Sequence, residues 1–395
     1  MIVVPADISA PLLLLSRAVL SSSEIAAARR LCQEVSDWGL FISIAARKFS
    51  LPFVYRNLMI VFPEGAPDID FEAIRLAVLP IKMMSLKVLA AQIQFHKTCI
   101  QPVDCEHVYL KGPSLAARYH DDSGLRFSRD IDVLVPKHAL EPVVRAGISN
   151  GYRVLVDPSK GKSVNCDRDL RALLRYEIVI SMMSPDNVVI EVHREVDKNL
   201  GVFKPRDVLK GAEEIFLEGL PLNVMPTSQL FCYICYHNSR HTWSRLHWLA
   251  DLDAVMQHPT FNLQEVLEYA TRIGIRPVVD ACIEFNNLSK KPSPNRPTSG
   301  SQSHAEELLE SCIVNLSGDL AVERQVRSTR KRAGLNSGWF LDAGAKRHSY
   351  LRILARFSPS FYQYLCWPLP DKLQWLYYLT KPYFALRMRI SERKS

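Results

Sequence analysis

Three short stretches carry residue types that can do chemistry at a fixed spacing. They are Leu110-Lys111-Gly112-Pro113-Ser114-Leu115, then Arg126-Phe127-Ser128-Arg129-Asp130-Ile131-Asp132-Val133-Leu134-Val135, and later Val188-Val189-Ile190-Glu191-Val192-His193. Side chains alternate along a strand, so Asp130 and Asp132 project to one face, roughly 6.5–7 Å apart along the chain. Ile131, Val133 and Val135 take the other face and enter the core. Two carboxylates at one strand end make a hard, oxygen-rich site suited to Mg²⁺, which binds a few carboxylates plus substrate phosphates. Two solvated aspartates at a strand end would be the plainer reading, but the third stretch repeats the arrangement. There Val188, Ile190 and Val192 share one face, and Glu191 and His193 the other. If the two strands are neighbours, Glu191 completes a three-carboxylate cluster, whose mutual repulsion calls for a cation.

Histidines and cysteines give weaker signals. His193 lies on the carboxylate face, where it can touch substrate, move a proton or orient Glu191. His237 and His241 stand four apart on a predicted helix, which is zinc-ligand spacing, but position 238 is Asn and no metalloprotease motif results. The helix face bearing Trp243, Arg245 and Asp251 is expected to pack on the sheet that carries these strands. Nine cysteines, an odd number at irregular spacing, argue against a disulfide framework. Cys232 and Cys235 sit in an apolar helical run, where cysteine behaves as a small hydrophobe.

Taken together, these blocks resemble the DNA polymerase β-like nucleotidyltransferase superfamily: a glycine–serine turn, an Asp-Ile-Asp strand and a later strand with one acidic residue. More narrowly, Leu110-Lys111-Gly112, Tyr119, Leu125-Arg126, Asp130 to Val135, Ile190-Glu191-Val192-His193 and the helical block from His237 to Leu252 resemble the uncharacterised nucleotidyltransferase family called type 5. The likeness spans most of the chain, as far as the Leu373 to Pro382 region. It implies that Asp130 and Asp132 bind two divalent ions, Mg²⁺ or Mn²⁺. Glu191 is then the third carboxylate, a metal ligand or the base for an attacking hydroxyl. It further implies that Gly112 lets the backbone approach a triphosphate, that Ser114 hydrogen-bonds a phosphate oxygen, and that Lys111, Arg126 and Arg129 supply positive charge. His193 and Arg245 are further nucleotide-contact candidates. The implied reaction is in-line transfer of an NMP from an NTP to a hydroxyl-bearing acceptor. RNA, protein side chains and small molecules such as sugars and antibiotics all stay open as acceptors.

One departure matters. Pro113 follows Gly112 where the superfamily usually has a second glycine or a serine, and proline removes a backbone donor. The interval from Gly112 to Asp130 is also longer than usual. This motivates an alternative: a nucleotide-binding regulatory or adaptor protein without turnover.

The elements that must position these residues fall into an α+β class, a mixed sheet with flanking helices set between N-terminal and C-terminal helical regions. Residues 1–100 read as helical, from Pro11 to Met59 with breaks at Gly39 and Pro52, then from Ile69 to Lys97 with a kink or split at Pro80. Residues 101–225 form the catalytic core, with strands at His107–Leu110, Ile131–Val135, Tyr152–Val156, Tyr176–Ser181 and Val188–His193. Helices fit Pro113–His120 and Ala139–Asn150. A helical domain covers 226–288, a Pro- and Ser-rich flexible linker 289–304, and a basic, aromatic helical region 305–395.

Composition sets the outer limits. With 395 residues, 48% hydrophobic and 23% charged, the chain is neither collagenous nor largely disordered. The surplus of 49 basic over 41 acidic residues gives +8 and favours anionic partners. Much of it lies in the tail, at Arg327, Arg330, Lys331 and Arg332 and again at Arg387, Arg389, Arg393 and Lys394. That tail is expected to close on the body, with contact to a nucleic acid, another polyanion or a membrane surface as the competing role. No signal segment or membrane span is expected, which places the protein in the cytoplasm.

Overall fold

The computed structural model describes residues 4–157, 162–164, 166–197, 201–290, 303–318, 338–342 and 358–391. Eight strands form one sheet: β1 (Val108–Tyr109), β2 (Asp130–Leu134), β3 (Arg153–Asp157), β4 (Lys162–Ser163), β5 (Val179–Met183), β6 (Val189–His193), β7 (Glu213–Leu217) and β8 (Leu220–Val224). Their order is β4-β3-β5-β6-β2-β1-β8-β7. β2 runs parallel to β6, and β1 parallel to β8; the other pairs are antiparallel. Strand alternation is expressed as two cores. Ile131, Val133, Ile180, Met182, Ile190 and Val192 belong to one, while Leu134 joins Val108 and Leu110 in the other. The expected mixed sheet with flanking helices is therefore present. The strand expected at Tyr176–Ser181 starts later, at Val179, because Asp167–Tyr176 is helical. The β7–β8 hairpin was not foreseen; its turn is Glu218-Gly219, both at positive φ (48° and 75°), as a tight two-residue hairpin requires.

The N-terminal region supplies α1 (Ala6–Leu15), α2 (Ser22–Gln33), α3 (Trp38–Arg47) and α4 (Leu51–Val61). Ser21 and Glu24 close a capping box on α2, and Asp37 caps α3. Gly39 and Pro52 lie inside first turns, so the breaks fall just before them, not at them; proline is tolerated there because its missing N–H would have no helical partner. α5 (Phe71–Phe95) passes through Pro80 as one helix instead of splitting, and continues as a π-turn at His96–Ile100. Pro80 is exposed, so water can satisfy the carbonyl it leaves without a donor. On length and composition alone one helix, Phe71–Val103, is apolar enough to cross a membrane (mean hydropathy 1.6), which revises the expectation that no segment qualifies. Here Val88, Ala91 and Phe95 pack into the sheet core, while Leu76, Leu79, Met83 and Leu86 are exposed.

α6 (Pro113–Tyr119), α7 (Leu140–Ser149), α8 (Asp167–Tyr176) and α9 (Pro205–Lys210) connect the strands. α10 (Thr227–Arg240), α11 (His247–Gln257), α12 (Leu263–Ile273), α13 (Arg276–Lys290) and α14 (His304–Leu316) share a hydrophobic core with α1–α4. Arg17, fully buried after α1, ties this body together: its guanidinium bonds Asn286 and Ser289 and lies 3.4 Å from Asp253. Most of the expected linker, 291–302, and the basic cluster from Arg327 to Arg332 lie outside the described residues. The chain closes with α15 (Phe361–Cys366), against α8, and α16 (Leu376–Ser391).

Candidate active site

Register brings the strand-borne groups together. β2 and β6 pair in parallel with Asp132 opposite Glu191 and Leu134 opposite His193. One donor atom each from Asp132, Glu191 and His193 lies within 4.8 Å of the others. His193 Nε2 is 3.1 Å from Asp132 Oδ1 and 3.6 Å from Glu191 Oε2. Lys111 Nζ approaches the other oxygen, Asp132 Oδ2, at 3.2 Å. These contacts define the electrostatics. Burial disfavours an ionised Asp132, yet Lys111 and His193 outweigh it and hold the carboxyl well below its usual range. For His193, burial opposes protonation, but the hydrogen bonds with Asp132 and Glu191 carry its pKa up to about 9. Lys111 likewise stays charged against its burial because Asp132 and Asp130 face it.

Asp130 is half-buried and stands outside the tight trio. Burial raises its pKa, Lys111 pulls it down, and Asp132 and Glu191 add to the rise. The donor set fits a divalent cation. Asp132 and Glu191 bring two carboxylates within 4.8 Å of one another, a like-charge approach that a bound cation would relieve. Two carboxylates, one imidazole and a nearby third carboxylate are ligands that Mg²⁺, Mn²⁺ or a softer divalent ion accepts.

The trio opens into a cleft of about 830 Å³ whose walls include Lys111, Arg129, Arg240, Arg245, His241 and Trp248. Arg129 and Arg245 come from opposite ends of the chain's core but share one support. Both guanidiniums lie over the ring of Phe49, at 5.8 Å and 5.2 Å, and that ring stacks on Phe127 at 4.4 Å. Phe49 itself has φ +60°, in the α3–α4 turn. The α10–α11 turn is equally constrained: Thr242 and Trp243 take φ of 55° and 49°. Asn315 donates to the Thr242 carbonyl at 2.9 Å, and the Trp243 N–H donates to Asn238 O at 2.9 Å. Such backbone strain persists only when surroundings over-determine it. Here it delivers Ser244 and Arg245 to the cleft. The two turns are joined by the Leu246 N–H donating to Lys48 O at 3.1 Å. Sequence reasoning missed Phe49, since one aromatic in a helical stretch reads as core; only the helix break around it marked a turn.

Other expected contacts are not brought to the cleft. Arg126 is buried and bidentate to Asp251 (2.8 and 2.9 Å), and it donates to Ser128 Oγ at 2.9 Å. Its charge is spent on joining the core to α11, so the expected phosphate role is not supported. Ser114 is buried and bonded to Gln92. Gly112 keeps a structural reason: φ is +80°, and a Cβ there would meet the Asp130 carbonyl at 3.3 Å. Pro113 is the first residue of the seven-residue α6. His237 lines the cleft beside His241 (ring centroids 4.7 Å apart), and burial followed by that neighbour pushes its pKa well below the ordinary value. His247 is buried edge-on to Phe49 and is lowered to about 3 by burial and Arg126. Cys232 and Cys235 are buried free thiols.

A family model described as an uncharacterised nucleotidyltransferase matches residues 34–288. No curated protein matches the chain.

Proposed function

Since the chain belongs to the uncharacterised nucleotidyltransferase family, we propose that it transfers an NMP from an NTP to a hydroxyl group with the help of Mg²⁺ or Mn²⁺. The observation that carries this reading is the trio Asp132, Glu191 and His193 at the floor of a cation-walled cleft. Asp132 and Glu191, with His193 and Asp130 close by, would hold the metal. When bound, the metal supplies positive charge for the phosphates and acidifies the acceptor hydroxyl. Lys111, Arg129 and Arg245 bind phosphate oxygens and fix the triphosphate in the cleft. Glu191, the more exposed carboxylate of the trio, accepts the hydroxyl proton. His193 holds Asp132 and Glu191 in register. The nucleobase fits the ring wall of His237, His241 and Trp248 by stacking.

The test is incubation of purified protein with labelled NTPs, Mg²⁺ and pools of cellular RNA, protein and small molecules. Metal-dependent transfer that disappears in Asp132→Asn but survives in Cys232→Ser is the expected result; no transfer from any pool would sink the proposal. A second reading, nucleotide binding without turnover, draws on Pro113 and on Ser114 being tied to Gln92. It predicts calorimetric NTP binding with no pyrophosphate release.

A further inference from the structure

The cleft has two chemically unlike sides, and the strand register orders them. Asp132 on β2 faces Glu191 on β6, which faces Ser181 on β5. On β3, Val154 pairs with Met182, so Leu155 is the next residue along the same row. Toward β1 and β2 the walls carry Lys111, Arg129 and Arg245. Past Glu191, toward β3, α8 and α15, they are Leu155, Leu173, Val179, Phe361, Tyr362 and Leu365. Among the described residues lining that side there is no Lys or Arg. Glu177 there accepts a hydrogen bond from the Phe361 N–H at 3.3 Å.

We propose that the side beyond Glu191 is the acceptor subsite, and that the acceptor is a small hydroxyl compound with an apolar skeleton, not a nucleic-acid strand. The proposal rests on the transferase reading above. With phosphates held on the cationic side, the attacking oxygen must arrive from the β5 side of Glu191. The acceptor oxygen bonds to the α-phosphorus, its proton passes to Glu191, and the bond to the bridging oxygen breaks so that pyrophosphate leaves with the electron pair. A nucleic-acid strand needs cations along its path. Among the described residues lining it, the wall of leucine, valine and aromatic rings offers none, but rewards buried hydrocarbon. A cleft of about 830 Å³ is of the size that holds small molecules.

Calorimetry without nucleotide, on the full chain, tests this with phenylbutanol and with an oligoribonucleotide bearing a free 3′ hydroxyl. Leu365→Asp is the informative variant because Leu365 is 47% exposed and its loss leaves the core intact; Tyr362→Ala is the second. The expected result is that phenylbutanol binds, that each variant weakens it by about fivefold or more, and that NTP affinity changes by less than about twofold. Failure of phenylbutanol to bind, affinity indifferent to both variants, or tighter binding of the oligoribonucleotide would each overturn it. The two failures are separable. Alcohol binding of this kind without nucleotide transfer counts against the transferase alone, whereas transfer to the oligoribonucleotide only counts against the apolar subsite alone.

Discussion

Two corners of the molecule are built from the same parts and put to opposite uses. At one, Asp132 meets a lysine and a histidine, Lys111 at 3.2 Å and His193 at 3.1 Å. At the other, Asp251 meets an arginine and a histidine, Arg126 at 2.8 Å and His120 at 3.2 Å. Both aspartates are almost wholly buried, and both carboxyls are held well below their usual range: burial pushes each upward, but the neighbouring cation outweighs it. What differs is what stands beside the pair. The guanidinium of Arg126 occupies both oxygens of Asp251, and both side chains are almost wholly buried. Asp132 shares its two oxygens between Lys111 and His193, a second carboxylate stands beside it, and the group lines a cleft. A charged triad therefore reads as a site only when a further ligand group stands beside it and something can enter.

That contrast can be broken, most sharply at its Asp132 end. Asp132→Asn should lower nucleotide transfer by about a hundredfold to a thousandfold, the scale of losing one preorganised electrostatic group, and assays of pyrophosphate release would read it. Arg126→Ala should do the reverse: denaturant unfolding should show a loss of about 3–5 kcal/mol, because it strands a buried carboxylate, while transfer per folded molecule persists. If the arginine variant instead stayed stable and lost transfer, the bracket would belong to the site.

Phe49→Ala should give a smaller change, raising the KM for NTP about fivefold to thirtyfold while kcat barely moves. That corresponds to about 1–2 kcal/mol for two ring–guanidinium contacts; Phe49→Tyr should restore most of it. The gentlest probe is pH. Asp251 has a depressed folded-state pKa, so the stability it contributes is complete above its unfolded value, about 4, and drains away as pH falls toward the folded one. Unfolding measured from pH 7 down to 5 should show no pH dependence from this group, with a decline below pH 4 that is shallower in Asp251→Asn.

Legibility in the sequence followed the range of the interactions. Asp130-Ile131-Asp132 and Glu191-Val192-His193 could be assigned to one face because a strand's period of two is local, and only their adjacency had to be assumed. Arg126 was misread because its partner lies 125 residues away; three arginines or lysines near a glycine turn look alike until packing chooses among them. Phe49 was invisible for the same reason, since its value comes from Phe127, Arg129 and Arg245. The β7–β8 hairpin was missed although Glu218-Gly219 between two apolar stretches is a local turn signal. The exposed glutamates of β7 hid it by diluting the strand pattern.

Arg17 has a consequence in time. Its partners Asn286 and Ser289 lie 269 and 272 residues downstream. At about 5–20 residues per second of synthesis, roughly 15–50 s pass between the arginine leaving the ribosome and its partners being made. Throughout that interval the first helix cannot complete its native packing, so the N-terminus, although born first, cannot settle before α13 is made.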